Sequence, residues 1–347
     1  MSDFDNSFEA HQLALLFRPR PKGDPNIRLS AGLARATGRK AVRGTTARLA
    51  RVVSRAPEVM VKVTGRPKGS QHLAAHLDYI GRRGGIVLEN RDGDYLDERD
   101  ERHELARHWS DPMYRRNASS VAAVGMIFSM PAGTEPGKVL AAVREVAKSE
   151  IAQEWDYVMA LHTDTPRPHV HLTVAARGDT GRRFNPRPHT LHRYRERFAE
   201  ELRARGVTAE ATPRAARGVG RAGHSMALHR MRERLKAGTA IPPRANQRFR
   251  AAVIADYKSE APPPRFVSAS KKLWAETSRV YLAAADQLAQ STDAADRQLA
   301  DKVRDFVKRG RMPTAHEQAI TAIERAAIRD RSPSEREQQP GPPGRSR

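Results

Sequence analysis

The sequence predicts an α+β fold in which an antiparallel sheet is flanked by helices. Three observations predict it. Several short runs alternate apolar and polar residues, longer runs between them repeat their apolar positions every three to four residues, and the two patterns follow in the order strand, helix, strand, helix, hairpin, helix. The first strand is "EVMVKVTG" from Glu58, and the helix "GSQHLAAHLDYIGRRGG" after it is expected to close at Gly84 and Gly85. The β-rich run "ASSVAAVGMIFSMPAG" (118–133) stops at Pro131. In "TEPGKVLAAVREVAKSEIA", Thr134 stands as an N-cap, and Val139, Val143, Val146 and Ala147 share one helical face. "DYVMALH" and "HVHLTVAA" read as two strands joined by a turn containing Pro166 and Pro168. A helix over about 190–205 carries Leu191, Tyr194, Phe198 and Leu202 on its apolar side.

Around this core, spanning 57–220, the sequence sets three other regions. Residues 1–56 read as a mobile basic arm with a short helix near Arg43 to Ser54: between positions 11 and 55 there are eleven Lys or Arg against one acid, Asp24. Residues 221–330 read as basic and mainly helical, with Leu273, Trp274, Tyr281 and Leu282 as packing positions. The polar, Pro-rich residues 331–347 are expected to be disordered.

The charge narrows the partners. A net charge of +22 and a pI near 10.9 predict attraction to polyanions, nucleic acid first and acidic membrane second. The absence of cysteine excludes disulfides and thiolate metal sites. The N-terminus opens acidic and lacks a secretory signal, and no apolar run approaches the roughly 20 residues that span a bilayer. The expectation is a cytoplasmic protein that faces nucleic acid, with no membrane insertion.

The densest chemistry lies in "LHTDTPRPHVHLTV", Leu161 to Val174. Strand residues two apart point to one face, so His169, His171 and Thr173 share a side while Val170, Leu172 and Val174 face the core. If 163–168 form the hairpin loop, His162 stands opposite His169, with Cβ atoms about 5 Å apart. Three imidazoles then converge as ligands suited to a divalent cation with open positions. Asp164 is placed to hold a ring N–H or to act as a base. Earlier in the chain, His72, Ala75, His76, Tyr79 and Arg83 form a helical stripe beside the buried stripe of Leu73, Leu77 and Ile80. A phenol is thus placed beside arginine charge. Its unperturbed pKa of about 10 means that attack on phosphorus needs activation by a cation, an arginine or a base.

Three stretches carry a resemblance. "HLDYIGRRGGIVLE", "IFSMPAGTE" and "YVMALHTDTPRPHVHLTV" occur in the order and at the intervals of the three motifs of conjugative relaxases, in the mobilization-nuclease branch that includes the T-DNA border endonucleases. The likeness runs over about 58–220 and includes the His-hydrophobic-His triplet at 169–171. It implies a five-stranded antiparallel sheet and site- and strand-specific DNA nicking at a transfer origin. On these positions Tyr79 would be the nucleophile that takes the 5′ phosphate. His162, His169 and His171 would hold Mg²⁺ or Mn²⁺, Asp164 would support them, and Ser129 would contact DNA near the nick. Arg82, Arg83, Arg214 and Arg217 are candidate phosphate contacts. The partners it implies are transfer-origin DNA, a coupling ATPase, a type IV secretion channel and accessory DNA-binding proteins, with translocation to a recipient cell. Three other readings compete: a rolling-circle replication initiator or transposase with the same chemistry, a three-histidine metal hydrolase with Tyr79 incidental, and a non-catalytic DNA-binding accessory protein.

Overall fold

The computed structural model describes residues 3–17, 44–111, 120–219, 244–259 and 262–329. Residues 18–43 of the expected basic arm, residues 220–243 at the start of the expected C-terminal region, and residues 330–347, which include the tail expected to be disordered (331–347), lie outside them. The chain forms two compact units, one built mainly from 42–213 and the other from Asn6–Leu16 together with the chain after Arg214. In chain order the elements are α1 (Phe8–Leu16), α2 (Thr45–Val53), β1 (Met60–Gly65), α3 (Gly69–Ile80), β2 (Leu88–Asn90), β3 (Tyr95–Leu96), α4 (Arg99–His108), β4 (Ala123–Ser129), α5 (Pro136–Glu150), β5 (Tyr157–His162), β6 (His169–Ala175) and α6 (Pro188–Ala204). Four helices complete the second unit: α7 (Arg244–Lys258), α8 (Arg265–Ala289), α9 (Ala294–Arg309) and α10 (Ala315–Arg329). No helix among the described residues is long and apolar enough to cross a membrane.

The first unit is α+β. Its sheet has six strands in the order β1-β4-β6-β5-β2-β3, and every neighbouring pair is antiparallel. The sixth strand, β3, has two residues and completes a hairpin with β2. One face of the sheet presents Val61, Met126, Phe128, Met159, Val170, Leu172 and Val174. It is covered by α5, through Val139, Val143 and Val146, and by α6, through Tyr194, Phe198 and Leu202. Phe128 and Phe198 meet edge to face at 5.4 Å. The other face is small where α3 covers it: Ala123, Ala160 and Ala175 pack with Leu73, Leu77 and Ile80 of α3 and Ala106 of α4. Small sheet residues let a helix settle close, and a Cβ added at Gly125 would meet the His76 ring at 3.0 Å.

Two boundaries differ from the sequence reading. Helix α3 ends at Ile80 rather than at Gly84 and Gly85, because Gly81 closes a turn in which a Cβ would meet the carbonyls of Leu77 and Ile86 at 3.2 and 3.3 Å. Arg83 therefore leaves the helical stripe assigned to it. Glu135, not Thr134, is the N-cap of α5, with Pro136 opening the helix, and the Thr134 hydroxyl donates to the Pro131 carbonyl instead.

Part of the expected basic arm is folded. Helix α2 lies within it, and its arginines are used inside the unit: Arg51 donates to Glu210 at 2.7 Å and Arg48 to Glu196 at 3.0 Å. Asp5 accepts from the Thr46 amide and hydroxyl at 3.0 and 2.8 Å, which anchors the start of α2. In the second unit, α1 buries Ala10, Leu13 and Leu16, and α8 and α9 pack through Tyr281 and Phe306, ring centroids 5.5 Å apart. Leu282, expected as a packing residue, is exposed; Tyr281 next to it takes the buried position and donates to the Ala216 carbonyl at 2.7 Å.

Phe198→Ala removes a fully buried ring and should cost about 3–5 kcal/mol of stability, measured by urea unfolding. A second outcome concerns acid. Burial alone would raise the Glu196 carboxyl, but His192 and Arg48 outweigh it and hold its pKa at about 2. A depressed carboxyl favours the fold above its unfolded pKa of 4.5, and that contribution is lost as pH falls toward 2. Glu196→Gln should thus be less stable than wild type at neutral pH, with the gap closing through this window in thermal melts.

Candidate active site

Hairpin β5–β6 builds the histidine cluster as its register dictates. His162 pairs directly with His169, and His171 lies two residues further along the same face of β6. The ring centroids are 4.5 Å (162 to 171), 5.2 Å (162 to 169) and 5.4 Å (169 to 171) apart. One ligand nitrogen from each lies within 4.8 Å of the others.

Backbone carbonyls fix two of the rings. His162 Nε2–H donates to the carbonyl of Ile80 at 2.6 Å, leaving Nδ1 as its lone pair. His169 Nδ1–H donates to the Arg167 carbonyl at 3.0 Å, leaving Nε2 free. Carbonyl partners of this kind orient metal-ligating imidazoles and raise their basicity. The third ring is buried, and its Nδ1 has no hydrogen-bond partner. An orphaned buried nitrogen is costly unless something binds it. Burial first, then the charges of His162 and His169, lower the His171 pKa to about 3, so the ring stays neutral as a ligand must. His162 is shifted down as well, chiefly by burial. These residues fit a divalent cation.

Tyr79 stands at the end of α3, 53% exposed, with its ring edge-on to His171 at 6.2 Å. The chain then turns through Arg82 and Arg83 in left-handed backbone, φ 52° and 57°. Non-glycine residues adopt this region rarely, and at functional sites it serves to aim a side chain. Here it aims Arg82. The guanidinium lies 5.4 Å from the centre of the Tyr79 ring, donates to His162 Nδ1 at 3.1 Å and pairs with Asp164. Asp164 therefore meets an arginine, where the sequence had offered it a ring N–H; the backbone carbonyls occupy those positions.

Helix α4 holds the tyrosine helix from behind. Arg102 is 1% exposed, donates to Asp78 at 3.3 Å and to the Asp97 carbonyl at 2.6 Å, and His103 meets the other Asp78 oxygen at 3.0 Å. Beneath α3, His76 Nε2 lies 2.9 Å from the Thr173 hydroxyl. Ser129 is buried and pairs with His169 across β4 and β6, which places it on the histidine face. Arg83 is exposed in the turn after α3, while Arg214 and Arg217 lie in the 214–219 turn of the second unit. The Asp78–Arg102 pair and the two carbonyls escaped the sequence reading. The first had a faint signal, an acid next to the tyrosine; the carbonyls had none.

The antiparallel sheet thus presents three imidazoles, able to hold a cation, beside a helix-borne tyrosine and an arginine. Residues 89–207, about a third of the chain, match the family model described as relaxase, MobA/VirD2-like, nuclease domain. The matched stretch holds Ser129, Asp164 and all three histidines; Tyr79 and Arg82 precede it. Among curated proteins, the chain is similar to the T-DNA border endonuclease VirD2 of Rhizobium radiobacter, 29% identical over 202 residues that cover 52% of this chain and 47% of that protein. It is also similar to the T-DNA border endonuclease VirD2 of Agrobacterium fabrum (strain C58 / ATCC 33970), 29% identical over 204 residues, 52% of this chain and 45% of that one. The chain thus spans about half the length of the curated relatives it matches. A solved structure described as "Molecular Basis of Vancomycin Resistance Transfer in Staphylococcus aureus" overlaps 46% of this chain and 99% of its own, at 15% identity and a TM-score of 0.32.

The neutral state of His171 is directly measurable. In ¹⁵N-resolved NMR its ring should titrate near pH 3, not near the ordinary 6.5.

Proposed function

We propose that this chain nicks and rejoins one DNA strand at the transfer origin of a mobile element and so initiates conjugative transfer. The observation that carries this reading is the meeting of Tyr79, Arg82 and the three-histidine cluster at the end of one helix. In the proposed step the Tyr79 oxygen attacks the scissile phosphorus. A tyrosine–phosphorus bond forms as the bond to the 3′ oxygen breaks, which leaves a 5′ phosphotyrosine and a 3′ hydroxyl. The phosphodiester's energy stays in the new ester, so the reverse attack rejoins the strand without ATP.

An ordinary phenol gives up its proton near pH 10, so the step needs help. Asp164, joined to the guanidinium that lies against the tyrosine ring, takes the proton, and water protonates the departing 3′ oxygen. Arg82 offers N–H donors to the phosphate where charge grows. His162, His169 and His171 would hold Mg²⁺ or Mn²⁺, which when bound supplies positive charge to polarise a phosphate oxygen. Ser129, on the histidine face of β4, would line the site near the nick, and Arg83, Arg214 and Arg217 would contact phosphates and add to the salt dependence of binding.

The resemblance to T-DNA border endonucleases supports the wider setting. The enzyme works in the bacterial cytoplasm with accessory DNA-binding proteins, and a coupling ATPase passes the protein–DNA adduct to a type IV secretion channel toward a recipient cell.

The test is a nicking assay on supercoiled plasmid carrying the host element's transfer region, with Mn²⁺, Mg²⁺ or EDTA, followed by detergent and protease. Wild type should give a protein-linked nick that EDTA abolishes. Tyr79→Phe should lower nicking by at least about a thousandfold and leave no adduct. An adduct persisting in the variant would move the nucleophile to another tyrosine. Cation-dependent cleavage with no adduct in wild type would point to hydrolysis by water.

A further inference from the structure

We infer that Arg82 and the divalent cation compete for one nitrogen, His162 Nδ1, so that the guanidinium must leave that nitrogen before the cation binds. The inference rests on the histidine cluster being a cation site, as proposed above. Its starting point is the His162 tautomer. The Nε2–H is committed to the Ile80 carbonyl at 2.6 Å, and a carbonyl can only accept. The lone pair of His162 is therefore on Nδ1. That lone pair already accepts an N–H of Arg82, at 3.1 Å. A neutral imidazole has one acceptor position, which can serve a hydrogen-bond donor or a metal but not both.

Arg82 is not in this position casually. Its backbone sits at φ 52°, the same Nη2 that meets His162 also donates to Asp164, and its guanidinium lies 5.4 Å from the centre of the Tyr79 ring. A positive guanidinium on a ligand nitrogen also repels an arriving dication. Both effects weaken cation binding in the same direction. When the cation takes Nδ1, Arg82 keeps its hold on Asp164 and its place beside Tyr79, and the N–H released from His162 becomes available to a phosphate. Cation entry thereby frees a donor next to the nucleophile, which couples the two ligands through one side chain.

The measurement is binding of Mn²⁺ alone to the full chain, followed by the EPR signal of free Mn²⁺, without DNA. Wild type, Arg82→Met, Arg82→Lys and His171→Asn are compared, each checked for folding by its thermal melt. Met removes both the donor and the charge and should tighten the His171-dependent site roughly tenfold. Lys keeps the positive charge but loses the planar guanidinium, and should fall between; it also carries the test if the Met variant does not fold. Equal affinity in wild type and the Arg82 variants, lost in His171→Asn, would overturn the competition while leaving the cation site standing. Binding that is indifferent to His171→Asn would remove the cation site itself, and this inference with it.

Discussion

A single hydrogen bond, from His162 Nε2–H to the carbonyl of Ile80, governs the geometry of the first unit's reactive end. Ile80 is the last residue of α3, and its carbonyl is among those a helix leaves unsatisfied at its C-terminus. The sheet supplies the missing donor. That bond seats the end of the tyrosine helix on β5, selects the tautomer of His162 and fixes where the chain turns into the left-handed arginines. Closeness is permitted by what the sheet lacks: Ala123, Gly125, Ala160 and Ala175 leave room for the helix where larger residues would lift it away.

Much of this was legible in the sequence because strand periodicity leaves so few choices. The alternation in "HVHLTV" sends Val170, Leu172 and Val174 to one core and the histidines to the other face, and the hairpin length sets His162 against His169. The apolar spacing of Val139, Val143 and Val146 likewise defines the buried side of α5. The end of α3 was not legible. A Gly-Gly pair is a stronger stop signal than a lone Gly81, and the contact that decides the matter, Gly81 against the carbonyls of Leu77 and Ile86, exists only in three dimensions. The same holds for Asp164. Sequence proximity to His162 suggested a ring partner, but the turn brought Arg82 there first, and a guanidinium is the stronger partner for a carboxylate.

The large positive charge divides into two populations. Arg48, Arg51, Arg102 and Arg144 are tied to carboxylates within the first unit, Arg144 to Glu89 through two bonds of 2.6 and 2.7 Å. They hold elements together: α2 to the chain around Glu210, α4 to the tyrosine helix, α5 to β2. Leaving any of those carboxylates buried without its partner would be costly, which makes these arginines structural in a way their count does not reveal. Others, Arg66, Lys68 and Arg83 among them, are exposed, where charge acts at a distance and is screened by salt.

The two halves of the reactive site have very different histories along the chain. All three imidazoles belong to one hairpin and meet as soon as its register is set, within ten residues of sequence. Tyr79 comes from more than eighty residues away and reaches them only when α3 has docked across the sheet. A chain with the hairpin formed and the helix undocked has its three histidines together but no tyrosine beside them. Partly folded copies, or fragments that retain only the hairpin, therefore lack the arrangement on which the proposed strand opening depends, and that chemistry would be confined to the fully assembled unit.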